Sequence, residues 1–271
     1  MTLPPSWPAA LTIAGSDSGG GAGIQADLRT FAFHRIHGTS VLTCVTAQNT
    51  LGVTRVDALS PEAVIAQLDA VTGDIAVQGI KTGMLLNEAI IQAVATALKS
   101  LPSNIPLVVD PVMVSRTGAQ LIDDGAIATL TRRLIPQACI LTPNRYEAQL
   151  LSGLDIATLA DMEAAARKIH QLGPQAVLVK GGGMTADLRS TDIWYDGREV
   201  VVLEAEVVET KHTHGTGCTL SAAIAANLAL GKDPLTAVQA AKDYVTSALN
   251  HALAIGQGQG PVGHFFPLLN E

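Results

Sequence analysis

Short apolar runs alternate with helix-length amphipathic segments from one end of the chain to the other. Residues 9–14 read as a strand, followed by a glycine-rich loop and a helix over about 23–37. A strand at 40–46 is followed by a small extra β-element at 51–58 and a helix near 61–71. The strands 76–80 and 106–109 each lead into a helix, near 88–101 and 123–135. A strand at 138–142 precedes helices over about 144–152 and 160–172. After a strand at 176–179 the pattern predicts a hairpin over 191–207, turning at Asp196-Gly197, and two long helices near 216–230 and 234–255. Strands that are apolar throughout and separated by helices predict an α/β fold: three α/β/α layers around a mostly parallel sheet, with a small β flap. No linker-like tract, low-complexity stretch or repeat interrupts it, so residues 1–271 are expected to form one domain.

Composition sharpens this picture. Apolar residues make up 48% of the 271 and charged residues 15%, which describes a well-buried globule, and 3% aromatic content means its core is built from Ala, Val, Leu and Ile. A net charge of −7 without a Lys/Arg cluster argues against nucleic acid or an anionic membrane as partner. Cys44, Cys139 and Cys218 are odd in number and far apart, which suits a reducing compartment better than a disulfide framework. The first ten residues carry no basic residue and no long apolar run, and no segment reaches membrane-spanning length, so a soluble, cytoplasmic protein is expected.

In a parallel sheet, ligands bind beyond the carboxyl ends of the strands. The unusual polar residues of this chain fall there: Gly15–Asp17, Gln48-Asn49, Lys81–Met84, Asp110, Asn144 with Glu147, and Lys180. His214-Gly215-Thr216-Gly217-Cys218-Thr219 opens an apolar helix, where unpaired amides and the macrodipole make an anion site and would lower the thiol pKa of Cys218. A plain glycine-softened turn is the alternative reading. Within the first glycine loop, Gly21-Ala22-Gly23-Ile24-Gln25-Ala26 fits the dinucleotide pattern GxGxxA, yet the second strand ends on Gln48-Asn49 and lacks the acid that a ribose needs.

Asp27, one turn into the first helix, is either a hydrogen-bond partner for a substrate ring or a solvated first-turn acid. Asp110 and Glu147 suit Mg²⁺, Lys180 a phosphate, and Asn144 is equally an N-cap. An anion cradle, a cation and a metal site are the parts that phosphoryl transfer requires. With no Walker A sequence, a P-loop NTPase is excluded. Cys218 stands where a base would take a hydroxyl proton, or else packs the helix start. Five histidines, His34, His37, His170, His212 and His251, have no metal spacing and read as surface or capping residues; His214 and His264 stay open.

These motifs carry a resemblance that runs nearly the length of the chain, in order. The opening from Leu11 to Ser18 with Gly20 to Leu28 resembles the hydroxymethylpyrimidine/phosphomethylpyrimidine kinases of thiamine biosynthesis. So do Ala47–Thr50, Lys81–Met84, Asp110–Met113, Thr142–Asn144 with Glu147-Ala148, Lys180–Gly182, His214–Ser221 and the tail around Gly260-Pro261 and His264-Phe265. The resemblance implies a ribokinase-like domain that uses ATP and Mg²⁺ to phosphorylate 4-amino-5-hydroxymethyl-2-methylpyrimidine, and then its monophosphate to the diphosphate. It implies pyrimidine contacts from Gly15, Asp27, Gln48 and Met84, and nucleotide contacts from Lys180, Asn144 and Lys242. Asp110 and Glu147 would serve the metal, and Gly215, Thr216 and Gly217 would form the anion hole with Cys218 as base.

Most ribokinase-like sugar kinases carry Asp at the last of these positions, so Cys218 points to the pyrimidine/pyridoxal branch. Pyridoxine or pyridoxal kinase is therefore the alternative activity, and a homodimer is the expected assembly. The chain departs from the family at Gly183-Met184, where His is common after the second glycine, and at Arg145-Tyr146, in place of a commoner Leu-Pro.

Overall fold

The computed structural model describes residues 7–113, 121–185 and 188–269. Residues 1–6, on which the reading of the N-terminus partly rests, lie outside them. The chain runs β1 (Ala9–Asp17), α1 (Gly23–Phe33), β2 (His37–Asn49), β3 (Gly52–Ala58), α2 (Pro61–Thr72), β4 (Gly79–Thr82), α3 (Glu88–Leu98) and β5 (Leu107–Val109). There follow α4 (Asp124–Thr129), which continues as a π turn and a 3₁₀ turn to Gln137, then β6 (Ile140–Leu141), α5 (Arg145–Ser152), α6 (Leu159–His170) and β7 (Ala176–Val179). The hairpin β8 (Asp192–Tyr195) and β9 (Val200–Leu203) and the helices α7 (Thr216–Ala229) and α8 (Pro234–Asn250) complete the order.

All nine strands among the described residues form one sheet in the order β3-β2-β1-β4-β5-β6-β7-β8-β9. The six from β2 to β7 are parallel; β3 and β8 run antiparallel to their inner neighbours. Alternate strand residues feed two separate cores, as period-two side chains must. Leu11, Ile13, Val109, Leu141 and Val177 pack under α2 to α6, whereas Ala10, Val108, Ile140 and Leu178 pack under α1, α7 and α8. The mostly parallel three-layer architecture expected from the hydrophobic pattern is therefore present. No described helix is long and apolar enough to cross a membrane.

Several boundaries differ from the sequence reading, and two of the differences matter. β1 reaches Asp17 instead of ending at residue 14, with its register against β2 shifting between Ala14 and Ser16. β4 is Gly79–Thr82, not 76–80, because its ladder with β1 starts at Ala10↔Gly79. Lys81 thus lies inside a strand. Since Ile80 joins the α2–α6 core, Lys81 faces the α1/α7 layer. Helix α1 stops at Phe33, short of residue 37, where Arg35 takes a positive φ of 60°.

Six helices, α2, α3, α4, α5, α6 and α8, begin with a side chain that accepts a first-turn amide: Ser60, Asn87, Asp123, Asn144, Thr158 and Asp233. The other two, α1 after Ala22 and α7 after Gly215, have no side-chain cap. Gly215 caps α7 in the left-handed region at φ 81°, and a Cβ there would meet the carbonyl oxygen of Gly21.

Helix α7 is apolar on every side and buried without a break from Thr219 to Leu228. It lies close on β4, where a Cβ on Gly79 would come within 2.7 Å of the Ala225 carbonyl oxygen. Gly79→Val is therefore expected to push α7 off the sheet and lower stability by about 1–3 kcal/mol. Urea unfolding with an unchanged m-value measures this, and a shift inside experimental error would show that backbone contact does not set the position of α7.

Candidate functional site

β1 lies between β2 and β4, so the chain leaves it toward one edge and returns on its other side. That switch of direction opens a crevice at the carboxyl ends of β1 and β4. Apart from Lys242, the residues singled out along the sequence lie on this side of the sheet, at five strand ends and the starts of α1, α5 and α7.

One end of the crevice is built around Asp110. Its Oδ1 accepts from Lys180 Nζ at 3.0 Å, and its Oδ2 accepts from Ser221 Oγ on α7 at 3.2 Å. Gly217 faces this pair, since a Cβ on it would stand 3.5 Å from Lys180 Nζ and 3.8 Å from Asp110 Oδ2. Thr216 donates both its hydroxyl, at 2.7 Å, and its backbone amide, at 3.3 Å, to the Thr213 carbonyl, which fixes the turn into α7.

Asn144 and Glu147 form a reciprocal capping box at the start of α5, so the N-cap reading of Asn144 holds. Glu147 accepts from the amides of Asn144 at 2.8 Å and Met113 at 3.1 Å. Burial lifts its carboxyl to about 7; Lys180 opposes the rise and Asp110 adds to it. Just before Met113, Val112 is held at a positive φ of 43°, which is strained for a β-branched residue.

The opposite end of the crevice is a small apolar wall with polar edges. A Cβ on Gly15 would fall 2.7 Å from Cys44 Sγ and 2.8 Å from Met84 Cε, so only glycine lets these two side chains close over β1. Both Gly15 and Gln48 sit at register shifts, between Ala14 and Ser16 in β1 and between Ala47 and Gln48 in β2. Irregularities of this kind re-aim a side chain out of the regular pleat.

Gln48 Oε1 accepts from Thr46 Oγ1 at 3.1 Å, and its Nε2 lies 3.4 Å from His214 Nε2. That histidine nitrogen is 2.8 Å from Asp17 Oδ2. A ring nitrogen that donates its proton to Asp17 cannot also accept one from Gln48, which leaves the Gln48 Nε2 donor for a ligand while Oε1 is held by Thr46.

Asp17, Lys81 and His214 were not assigned roles from the sequence, and the structure gives each a definite one. Asp17 accepts from the amides of Gly19, Gly21 and Ala22 at 2.8–3.1 Å as well as from His214, so one carboxylate ties the glycine loop to the loop before α7. Burial works against its charge, but the bonds from His214 and Ala22 outweigh it and hold its carboxyl below the ordinary range. Lys81 Nζ donates to Asp27 Oδ2 at 2.8 Å, and Thr12 Oγ1 donates to the same oxygen at 2.6 Å. Strand-end position was the signal for Asp17 and Lys81; their pairing across the fold left no local trace.

Three readings need correction. Asp27 is no solvated first-turn acid: it is fully buried beside Lys81, with Oδ1 unpartnered among the described residues. The thiol of Cys218 is not lowered by its helix start. Burial pushes it up to about 11, although Lys81 opposes this and the Gly23 amide donates to the sulfur. Lys242, expected at the nucleotide, is engaged elsewhere, donating to Asp192 Oδ2 and the Ser190 carbonyl at 2.7 Å each. Asp192 Oδ1 in turn accepts from Gly181, so Lys242 acts on the glycine turn after β7 from behind. His264, left open, is buried against Thr219 Oγ1 at 2.9 Å, and burial lowers its pKa to about 4.

The family model described as phosphomethylpyrimidine kinase matches residues 17–263. The hydroxymethylpyrimidine/phosphomethylpyrimidine kinase of Synechococcus elongatus is 65% identical over 261 residues, which is 96% of this chain and 98% of the relative. Among solved structures, the ADP complex of Bacillus subtilis pyridoxal kinase superposes with a TM-score of 0.90 at 40% identity, covering 98% of this chain and all of that one. The phosphomethylpyrimidine kinase of Clostridium difficile gives 0.81 at 42% identity, covering 89% of this chain and 99% of its own.

Asp17→Asn keeps the side-chain shape but removes the charge that gathers three amides and His214. It is expected to lower stability by about 1–3 kcal/mol at pH 7. Because the folded-state carboxyl is depressed, this contribution is present above the unfolded pKa and is lost as the pH falls below about 4. Urea midpoints of the two proteins should therefore converge in acid; a deficit that persists there would show that Asp17 acts by packing alone.

Proposed function

The chain belongs to the phosphomethylpyrimidine kinase family, and from that premise we propose the roles its residues play in phosphorylating the thiamine pyrimidine. It is a phosphotransferase that converts 4-amino-5-hydroxymethyl-2-methylpyrimidine to its monophosphate and then to the diphosphate, with ATP as donor. The observation that carries the assignment of roles is the meeting of the Asp110–Lys180 pair with the uncapped start of α7, across the crevice from Gly15, Gln48 and Met84.

Gln48 offers an amide donor and a carbonyl acceptor to the aminopyrimidine edge, Met84 and Gly15 its apolar faces, and Asp27, fully buried, supports this end of the crevice from behind. At the other end, Lys180 and the amides of Gly215 and Gly217, on the turn that Thr216 fixes, stabilise negative charge on the phosphoryl group in flight. Asn144 positions Glu147. Lys242 holds the Gly181–Gly183 turn that borders the nucleotide. Cys218 takes the proton of the attacking hydroxyl.

Asp110 and Glu147 fit a magnesium ion: they are neighbouring carboxylates, and Glu147 is an acid whose ionisation a cation would favour. When bound, the ion neutralises charge on the phosphates. We further propose a single ribokinase-like domain over residues 1–271 that works as a cytoplasmic homodimer. The β2–β3 flap supports the pairing, because it exposes Val45, Val53 and Val56 along its edge.

Cys218→Ala is expected to lower kcat for the alcohol by about 10²–10⁴-fold at nearly constant KM. The monophosphate should suffer far less, because a phosphate oxygen is already anionic and needs no base. Steady-state kinetics on each substrate decides, and equal losses would make Cys218 a packing residue. Gln48→Ala should raise KM for the pyrimidine at least about tenfold, one lost hydrogen-bond set, while leaving KM for ATP unchanged. ATP consumption with pyridoxal in place of the pyrimidine tests the alternative activity, and faster turnover of pyridoxal would reverse the assignment.

A further inference from the structure

Arg145-Tyr146 and Gly183-Met184, singled out in the sequence and given no role above, meet in the structure. Arg145 Nη1 donates to the Gly183 carbonyl at 3.3 Å. A Cβ on Gly183 would stand 3.5 Å from Arg145 Cβ and 3.8 Å from Tyr146 Cε2, so both side chains lie against the same glycine. The Arg145 guanidinium is also 5.8 Å from the centre of the Tyr146 ring, within cation–π reach.

Helix α5 itself does not call for an arginine there. Arg145 is its first residue, where the macrodipole disfavours a cation, and the capping box of Asn144 and Glu147 already closes this end. Its Nε is buried with no hydrogen-bond partner among the described residues, which costs further stability.

What Arg145 reaches is the loose part of the turn after β7. Lys180, at its entry, donates its amide to the Pro143 carbonyl at 2.9 Å and pairs with Asn144 in an isolated bridge. Gly181 donates to Asp192 Oδ1 at 2.8 Å, and the buried Met184 donates its amide to the Gly181 carbonyl at 2.8 Å. Gly182 and Gly183 span these anchors, and a Cβ on Gly182 would meet nothing within 4 Å. Among the described residues, Arg145 is the side chain that ties this span down.

We propose that Arg145 is a positioning residue for the nucleotide: its guanidinium on the Gly183 carbonyl fixes the Gly181–Gly183 turn against α5, so that Lys180 and the turn present one geometry to the phosphates of ATP. The proposal rests on the reading of Lys180 as a nucleotide contact. Adjacent glycines sample many backbone conformations, and ordering them on binding would weaken affinity. A turn held in advance avoids that cost.

Two measurements on the full-length protein without pyrimidine test this: hydrogen exchange of the turn peptide by mass spectrometry, and the Kd of ADP by calorimetry. In Arg145→Met, exchange across residues 181–184 should quicken about threefold or more while β7 is unchanged. The Kd for ADP should rise about three- to tenfold, with KM for the pyrimidine within about twofold of wild type. Arg145→Lys, which keeps a donor, should recover part of both effects. Unchanged exchange, or faster exchange with an unchanged Kd, overturns the proposal. So does a general loosening, in which the urea midpoint falls and the KM values of both substrates rise together. Lys180→Met separates the proposal from the reading beneath it. ADP affinity that survives Lys180→Met would show the site itself to be misassigned and would take the proposal with it, whereas a loss there with none in Arg145→Met removes only the role of Arg145.

Discussion

A helix that begins without a side-chain cap keeps its first amides for whatever else can accept them, and in this molecule α1 and α7 begin that way. Their first turns meet at Cys218, with the Gly23 amide on its sulfur and the Gly217 backbone beside Lys180 and Asp110. The rest of the architecture makes this meeting possible. β1 passes between β2 and β4, so α1 returns over the same face that α7 covers, and Gly79 lets α7 approach the sheet at backbone distance. Asp17 closes the arrangement by binding both loops that lead into these helices.

Of seven lysines in the chain, three are drawn into ion pairs with buried aspartates, and each pair joins elements far apart in sequence. Lys81 links β4 to α1, Lys180 links the ends of β7 and β5, and Lys242 links α8 to β8. The three bridges lie in or behind the crevice. Interior charge in this protein is thus concentrated at and behind the crevice, while the two cores on either side of the sheet are built from aliphatic residues.

What could be read from sequence was what is local. Strand–helix alternation, the capping box at Asn144 and Glu147, the glycine turn at 215–217 and the strand-end places of Asp110 and Lys180 all follow from spacing within a few residues. What escaped depends on partners that only the fold supplies. Asp27 could be read only as a ring contact or a first-turn acid because its lysine is 54 residues away in sequence. The thiol of Cys218 was judged from the helix dipole, a local effect that burial outweighs. Lys242 carried no mark of Asp192, and a strand start three residues later than expected turned Lys81 inward.

The contact between Gly79 and α7 has a consequence for how such a molecule can diversify. Because main chain rests on main chain there, the distance from the sheet to α7 is set by covalent geometry and is insensitive to the identity of surrounding side chains. The wall of Gly15, Cys44 and Met84 is made of adaptable sulfur-bearing side chains closing over a single glycine. One end of the crevice is thus a fixed die and the other a soft mould. With the roles proposed above, a lineage built on this plan can change the ring it grips by altering the mould, without having to rebuild the start of α7.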